Sequence, residues 1–363
     1  MGPGLYVHVP FCIRKCAYCA FFSRPVEPGL VAAWLAGLAR ELDERPADFA
    51  PTTVFFGGGT PTALDEGDLA RLFEALRARV DLRRVGEWTC EANPGTLTPG
   101  KLAVLRAGGV NRLSLGAQSF ADATLRRLGR IHAADATRAA VALAREAGLA
   151  NVGLDLIYGV PGVARKTFEA DVAAALALEP EHLSCYCLEI EAGTPFARAA
   201  AAGRLALSED EQRAQFDWTR RRLAAAGFAH YEISNFARPG RECRHNGLYW
   251  SGGEYVGVGP AAHSHWRGVR WGNVAELPTW RRAFAEQLEP AAKARETLVM
   301  GLRRLAGWDR AEFRAATGFD YDDLRGPEIA RLAAEGRLVV ESNRIRLAED
   351  ALFVSDAVFA ELV

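Results

Sequence analysis

The sequence predicts an α/β fold: a partial (β/α)6 barrel of the TIM type, followed by a mainly helical, winged-helix-like C-terminal domain. Three observations lead to this prediction. Over the first two-thirds of the chain, six short β-rich runs alternate with stretches of helical spacing. Many of those stretches end at glycine or proline, where helices commonly stop. Near Ala291 the alternation gives way to helices and a short hairpin.

The predicted strands are the β-rich runs at residues 5–9, 53–56, 87–91, 112–115, 152–157 and 182–187. Helices are expected between them, among them 68–80, 133–147 and 167–178, and a further helix, 209–226, follows the sixth strand. Parallel strands joined by helices form barrels in which the chemistry lies at the carboxyl ends of the strands. We therefore expect functional residues just after each strand.

The C-terminal part is predicted to contain helices at 295–305, 310–317 and 327–335, then a hairpin of strands 337–341 and 344–347. The expected division is a core barrel at 1–235, an irregular connecting segment at 236–290 rich in Gly, aromatic and His residues, and the helical domain at 291–363. Winged helices often bind DNA, but fold alone does not determine function, and this domain has a near balance of acidic and basic side chains. We expect no nucleic-acid partner.

The composition indicates a globular protein of the cytoplasm. Of the 363 residues, 49% are hydrophobic and 25% are charged, and the net charge is −1. This balance allows a large core and provides no strongly basic surface for nucleic acid or an acidic membrane. We find no apolar run of membrane-spanning length and no signal-peptide pattern at the N-terminus. Association with a membrane surface or with a second copy of the chain is left open.

Three of the seven cysteines, Cys12, Cys16 and Cys19, lie close together just after the first predicted strand. An odd total with one tight cluster indicates a metal site rather than a disulfide framework. A structural zinc normally takes four protein ligands, and no fourth Cys or His follows nearby. Three thiolates suit a [4Fe–4S] cluster with one iron open to another ligand. The alternative is an incomplete zinc site or a chance cluster.

The spacing CxxxCxxC after the first strand resembles the radical S-adenosylmethionine (SAM) superfamily. The flanking residues from Tyr6 to Cys12, Tyr-Val-His-Val-Pro-Phe-Cys, are similar to the oxygen-independent coproporphyrinogen III oxidase-like branch, and the resemblance runs through essentially the whole chain. It implies that SAM binds the open iron and that an electron donor reduces the cluster, which cleaves SAM to methionine and a 5′-deoxyadenosyl radical. The cofactors would carry the chemistry, and the protein would position them.

Glycine and polar residues follow the predicted strands. The run from Gly57 to Thr60 follows the second strand, and its missing side chains let the backbone approach a ligand. Asp155 stands inside an apolar strand, which is costly unless the carboxylate is paired or bound. The resemblance implies SAM contacts at Tyr6, Tyr18, Gly58 and Glu91, and contacts to a second SAM at Gly59, Thr60, Gln118, Arg130 and Asp155. Alternatively, the last three form an internal network that only holds the barrel together, and Glu91 is a solvated charge.

Two departures from the oxidases of this branch argue against coproporphyrinogen decarboxylation. The oxidases carry a fourth cysteine two residues after the third, where this chain has Phe21. They also have a long N-terminal extension, whereas only about four residues precede the first predicted strand here. Both differences are expected to remove the oxidase activity.

Residues 245–250, His-Asn-Gly-Leu-Tyr-Trp, match HNxxYW, the mark of the haem chaperone subgroup of the branch. The resemblance implies haem as a ligand and acceptor apo-haemoproteins as partners. The alternative function is a SAM-dependent coproporphyrinogen III dehydrogenase, and no catalytic residue is assigned. An imidazole can bind iron and aromatic rings can stack on a porphyrin, so His245 is the candidate haem ligand. It could instead be a hydrogen-bonded support for the open end of the barrel. His263 and His265 are secondary candidates.

Overall fold

Six parallel strands form the centre of the fold, as the sequence predicts. The structure, a computed structural model, describes residues 2–363. The strands are β1 Gly4–Val9, β2 Thr53–Gly58, β3 Glu87–Ala92, β4 Arg112–Gln118, β5 Val152–Tyr158 and β6 His182–Cys187. The helices between them are α1 Pro28–Asp43, α2 Glu66–Arg77, α3 Pro99–Gly108, α4 Asp122–Leu128, α5 Ala134–Glu146 and α6 Arg165–Leu176.

Side-chain caps begin two of these helices. Asp65 accepts a hydrogen bond from the backbone N–H of Asp68 at the start of α2, and Thr98 accepts one from Lys101 at the start of α3. These bonds satisfy amide groups that have no partner within the helix. Strand β2 extends beyond its predicted end into the glycine run, because Gly57 and Gly58 pair with the last residues of β1.

The six strands belong to one sheet of twelve that forms a partial barrel. After β6 come α7 Pro195–Ala201, α8 Glu209–Ala225, β7 Ala229–Glu232, β8 Asn235–Ala237, α9 Arg244–Trp250, β9 Tyr255–Val258, β10 His263–Trp266, β11 Val269–Asn273 and β12 Arg282–Gln287. The strand order is β12-β11-β10-β9-β1-β2-β3-β4-β5-β6-β8-β7. In the described part of the chain, β12 and β7 are the two edges, so the sheet is not closed.

The prediction that residues 236–290 are irregular is wrong. This segment contains α9 and strands β9 to β12, with β9 parallel to β1 and the following strands antiparallel. The strands are short, β9 and β11 each contain a glycine, and β12 is mostly charged residues and alanine, so local propensity marks them only weakly. Their pairing with β1 and with one another determines their conformation, and such long-range pairing is not visible in a local sequence pattern.

The C-terminal region has the predicted mainly helical character, with a small sheet. Its elements are α10 Pro290–Leu302, β13 Trp308–Asp309, α11 Arg310–Thr317, α12 Tyr321–Ala334, β14 Leu338–Val340, β15 Arg344–Leu347 and α13 Ser355–Leu362. The order of the three strands is β13-β15-β14. Helix α12 begins before its predicted start at Pro327, because the helix continues across a kink at Arg325.

Buried aromatic residues join the helices to the sheet. Trp34 of α1 is fully buried, and its Nε1 donates to the backbone oxygen of His8 in β1 at 3.2 Å. Phe56 and Trp88 lie edge to face with 5.5 Å between ring centroids. This packing holds the carboxyl ends of β1 to β3 in fixed positions. Among residues 2–363, we find no helix with both the length and the apolar character that crossing a bilayer requires.

Candidate functional site

A cavity of about 470 Å³ lies at the carboxyl ends of the central strands. This volume is in the range of sites for small molecules and cofactors. Every predicted cluster or SAM residue except Tyr6 lies on its wall: Cys12, Cys16, Tyr18, Cys19, Gly58, Gly59, Thr60, Glu91, Gln118, Arg130 and Asp155.

The loop between β1 and α1 carries the three cysteines and is tied to its surroundings by backbone hydrogen bonds. Cys12 N donates to Arg24 O at 3.0 Å, which closes the loop at its base. Ala17 N donates to Leu128 O at 3.0 Å. Gly129, with a φ of 76°, follows Leu128, and a Cβ there would lie 3.0 Å from Ala17 N. Glycine is therefore required where the loop meets the end of α4.

The three cysteines are compatible with a cluster, whose thiolates need not surround a single ion. Within residues 2–363, no group of three or more His, Cys, Asp or Glu side chains is arranged around a single ion position. In a [4Fe–4S] cluster each thiolate binds a different iron, so the three sulfurs stand further apart than the ligands of one ion. Cys12 Sγ lies 3.5 Å from Thr60 Oγ1, which sets this thiol beside the glycine run.

The glycine run serves the packing of the protein itself. A Cβ on Gly57 would lie 3.0 Å from a carboxylate oxygen of Glu91, and one on Gly59 would lie 2.7 Å from the backbone oxygens of Val9 and Phe11. The amide of Gly59 donates to Val9 O at 2.9 Å, and the amide of Thr60 donates to Phe11 O at 2.7 Å. These two amides are thus occupied within the protein, which the sequence could not show.

Two carboxylates, Glu91 of β3 and Asp155 of β5, give the cavity an acidic floor. Burial, together with the neighbouring charge of Asp155, raises the pKa of Glu91 to about 8. Burial also raises the pKa of Asp155, against hydrogen bonds from Ser184 and Ser114. The Oγ of Ser114 lies 3.2 Å from a carboxylate oxygen of Asp155. Both acids are half-buried, and the positive charge of Arg112 partly offsets the rise in their pKa values. Neither carboxylate forms a salt bridge within residues 2–363, so the pair suits a positively charged ligand, and SAM carries a sulfonium and an ammonium group.

Asn93, which the sequence analysis missed, connects two predicted site residues. Its Nδ2 donates to Thr60 Oγ1 at 2.6 Å, and its Oδ1 accepts a hydrogen bond from Arg130. Arg130 Nη2 also donates to Gly116 O at 2.7 Å. Asn93 directly follows β3, and its position just after a strand could have identified it as a site residue. Cys187, Glu189 and Glu191, at and after the end of β6, also line the cavity and were missed.

The internal network proposed as an alternative for Gln118, Arg130 and Asp155 is not observed. In residues 2–363 no hydrogen bond joins Asp155 to Arg130 or Gln118, and Arg130 bonds Asn93 and Gly116 instead. Gln118 has a φ of 64°, and its buried Oε1 has no partner. An unpaired buried oxygen on a cavity wall, held by a strained backbone, indicates room for a donor group of a ligand.

Tyr6 is the one predicted SAM contact that does not line the cavity. Its hydroxyl lies 3.2 Å from His8 Nδ1, and its ring stacks on Phe55 with 6.2 Å between centroids. Tyr6 is half-buried among these rings, and burial together with the nearby charge of Glu91 raises its pKa.

His245, the predicted haem ligand, has both ring nitrogens engaged within the protein. Its Nδ1 lies 2.8 Å from Thr53 Oγ1 and its Nε2 lies 2.9 Å from the Tyr249 hydroxyl. The ring is buried and stacks on Phe55, and burial lowers its pKa to about 3. Thr53 begins β2, so His245 lies at the end of the barrel opposite the cysteines. In this conformation it cannot bind iron, and the structure supports the alternative of a hydrogen-bonded support.

These residues fit the groups that the cysteine motif implies. Three cysteines on one loop face a cavity large enough for SAM, and two half-buried acids and an unpaired amide oxygen line its wall. The thiols are the ligand type that iron–sulfur clusters use. The acids match the positive charges of SAM.

Comparisons with known proteins show the family of this chain. Residues 6–175 match the model of the radical SAM superfamily, and residues 288–354 match the HemN C-terminal domain. The chain is 38% identical to "Heme chaperone HemW" of Mycobacterium tuberculosis (strain CDC 1551 / Oshkosh), with 93% of each chain covered. It is 34% identical to "Heme chaperone HemW" of Bacillus subtilis (strain 168), with 98% of this chain and 97% of the relative covered.

A solved structure shows the same fold. The coproporphyrinogen III oxidase HemN of Escherichia coli, described as a radical SAM enzyme, superposes with a TM-score of 0.84 over 99% of this chain and 90% of its own, at 23% identity. The radical SAM domain implies a [4Fe–4S] cluster, SAM and a source of electrons. From the full-length relatives and the cysteine site together, this chain belongs to the radical SAM superfamily and, within it, to the heme chaperone HemW family.

Proposed function

We propose that this chain binds haem and delivers it to acceptor haemoproteins, while Cys12, Cys16 and Cys19 hold a [4Fe–4S] cluster. The observation that carries the proposal is the identity of 38% with a heme chaperone over 93% of both chains. The similarity to the oxidase structure shows a shared fold, which hosts more than one function.

Phe21 supports the chaperone over the oxidase. It lies on the cavity wall two residues after Cys19, with 69% of its surface exposed. The oxidases of the branch carry a cysteine there. A large exposed apolar side chain at the mouth of the cavity has neither the metal-binding nor the redox chemistry of a thiol.

The residues around the cavity would position SAM. With a reduced cluster, bound SAM supplies one-electron chemistry. Glu91 and Asp155 would balance its positive charges, Gln118 Oε1 would accept one of its donors, and Tyr18, Gly58, Gly59 and Thr60 would shape the wall. Arg130, which donates a hydrogen bond to Asn93, would face the cluster at Cys16. We further propose a cytoplasmic location and a separate electron donor as partner.

Product analysis separates the chaperone from the oxidase. The reconstituted protein would be incubated without oxygen with coproporphyrinogen III, SAM and a reductant, and the porphyrins would be resolved by chromatography. We expect no protoporphyrinogen, with a known oxidase as the positive control. SAM-dependent conversion would overturn the chaperone proposal and establish the oxidase alternative.

A further inference from the structure

All seven histidines of the chain lie within residues 2–363, and in this described part only His263 is exposed. The other six are buried or half-buried. Five of them have a ring nitrogen in a hydrogen bond: His8 with Phe22 O, His132 with Ala117 O, His182 with the Tyr231 hydroxyl, His230 with Ile233 O, and His245 with Thr53 and Tyr249. The sixth, His265, has an Nε2 without a partner, but that atom is buried and iron cannot reach it in this conformation. A histidine that binds iron needs a ring nitrogen that the metal can reach. His263 meets this need without rearrangement.

The surroundings of His263 form a flat surface with one aromatic side chain. His263 on β10 pairs with Gly272 on β11, and Gly272 pairs with Phe284 on β12. A Cβ on Gly272 would lie 3.0 Å from the His263 ring and 2.7 Å from that of Phe284. The two rings are 5.8 Å apart, and Phe284 is 41% exposed. An imidazole beside an exposed phenyl ring, over a strand with no side chain, suits a planar aromatic ligand.

A second cavity, of about 140 Å³, opens on the same face of the sheet. Side chains two positions apart on a strand point to the same face, so His263 and His265 share it, and His265 lines this cavity. Aromatic, thioether and cationic side chains complete the wall: Tyr249, Tyr255, Met300, Arg270 and Lys293. Tyr249 belongs to the HNxxYW segment.

Of the two cationic side chains of this cavity, Arg270 is paired with acidic residues and Lys293 is available to a ligand. Arg270 is paired with Glu286 at 2.7 Å and with Glu296 at 2.9 Å. Lys293 lies close enough to contribute to the lowered pKa of His265, although burial is the larger cause. Across residues 2–363, Lys293 forms no ion pair. His263 lies two residues, or about 7 Å, along the strand from the paired residues His265 and Arg270. This separation is comparable to the distance from the iron of a haem to one of its propionate groups.

We propose that haem binds on this face, with a ring nitrogen of His263 on the iron, Phe284 against the macrocycle and a propionate directed to Lys293. This inference rests on the proposed function and names the haem site. The nitrogen lone pair would displace water or chloride from ferric haem, and no electron would be transferred. The cavity is too small to enclose a porphyrin, so most of the haem would stay exposed, which suits a cargo that is passed on.

Haem titration of the cluster-loaded protein tests the proposal. We expect His263→Ala to weaken haem binding by about tenfold or more and to change the Soret and resonance Raman coordination bands, since iron loses a nitrogen ligand. Gln287→Ala is the matched control, because Gln287 lies on β12 but alternates to the opposite face from Phe284. This control should bind haem as the wild type does. Circular dichroism would check that each variant is folded.

The propionate contact has its own test. Lys293→Met should weaken the binding of haem but not of haem dimethyl ester, whose propionates carry no charge. A His263→Ala protein that binds haem with wild-type affinity and bands would overturn this site while leaving the proposed function intact. A wild-type protein that binds no haem would overturn both.

Discussion

Arg130 Nη1 lies 3.3 Å from Cys16 Sγ, so that a guanidinium from the segment after α4 faces one of the proposed cluster ligands. Asn93 and the backbone oxygen of Gly116 hold the other end of the guanidinium. Its charge is therefore fixed beside the sulfur. A positive charge in that place stabilises the more negative, reduced state of a cluster.

Arg130→Gln should make the reduction potential of the reconstituted cluster more negative. Coulomb's law at an effective dielectric constant of about 20 gives a shift on the order of 100 mV for a unit charge a few ångströms away. A spectroelectrochemical titration without oxygen measures it. Arg126→Gln, an exposed residue of α4, removes the same charge and should leave the potential unchanged. Equal potentials in wild type and Arg130→Gln would contradict the placement of the cluster.

Replacing Cys12, Cys16 and Cys19 together with serine should abolish iron binding and the brown visible absorption of the cluster. Thiolates are the required ligands, and serine does not replace them at neutral pH. Iron analysis after reconstitution measures the loss. Cys187→Ser is the control, because Cys187 lines the same cavity but is not a proposed ligand. Four irons per chain in the triple variant would show that the ligands lie elsewhere.

Glu91 should make SAM binding depend on pH. Its pKa of about 8 means that the carboxyl group is largely protonated at pH 7, whereas a positively charged ligand favours the ionised form. The affinity for SAM should therefore increase with pH up to about 8, by at most about tenfold per unit. Calorimetric titrations of wild type and Glu91→Gln separate this effect from the ionisation of SAM, because only the wild type has the Glu91 contribution. Parallel pH profiles would remove Glu91 from the site.

The same raised pKa affects stability. In the absence of SAM, the folded protein holds a proton on Glu91 between its ordinary value of 4.5 and about 8, and the unfolded chain does not. Protonated Glu91 therefore contributes to the free energy of unfolding. The contribution is fully present below pH 4.5 and is lost as the pH rises through about 8.

His245→Ala should destabilise the protein rather than remove a haem ligand. The change deletes the hydrogen bonds to Thr53 and Tyr249 and leaves a gap against Phe55. We expect a loss of about 2–4 kcal/mol in the free energy of unfolding. Urea denaturation measures it, with His263→Ala as the exposed control at within about 0.5 kcal/mol of wild type. A fully stable His245→Ala protein with altered haem bands would restore His245 as the ligand.

Local pattern was sufficient for the central strands and for the cysteine loop. Short, largely apolar runs that alternate with stretches of helical spacing mark β1 to β6, and the spacing of Cys12, Cys16 and Cys19 is itself local. The parts that were missed depend on distant contacts. Asn93 gains its position from Arg130, and the environment of His245 depends on Thr53, which is 192 residues away. Strands β9 to β12 likewise depend on pairing with β1 and with one another.

Haem transfer tests the central claim most directly. The protein would be loaded with one equivalent of haem, freed of excess by gel filtration, and mixed with an apo-haemoprotein whose haem-bound spectrum is distinct. We predict that haem leaves this chain and appears in the acceptor faster than it is lost to a haem scavenger at the same concentration. Loading without stoichiometric binding, or transfer no faster than loss to the scavenger, would contradict a chaperone function.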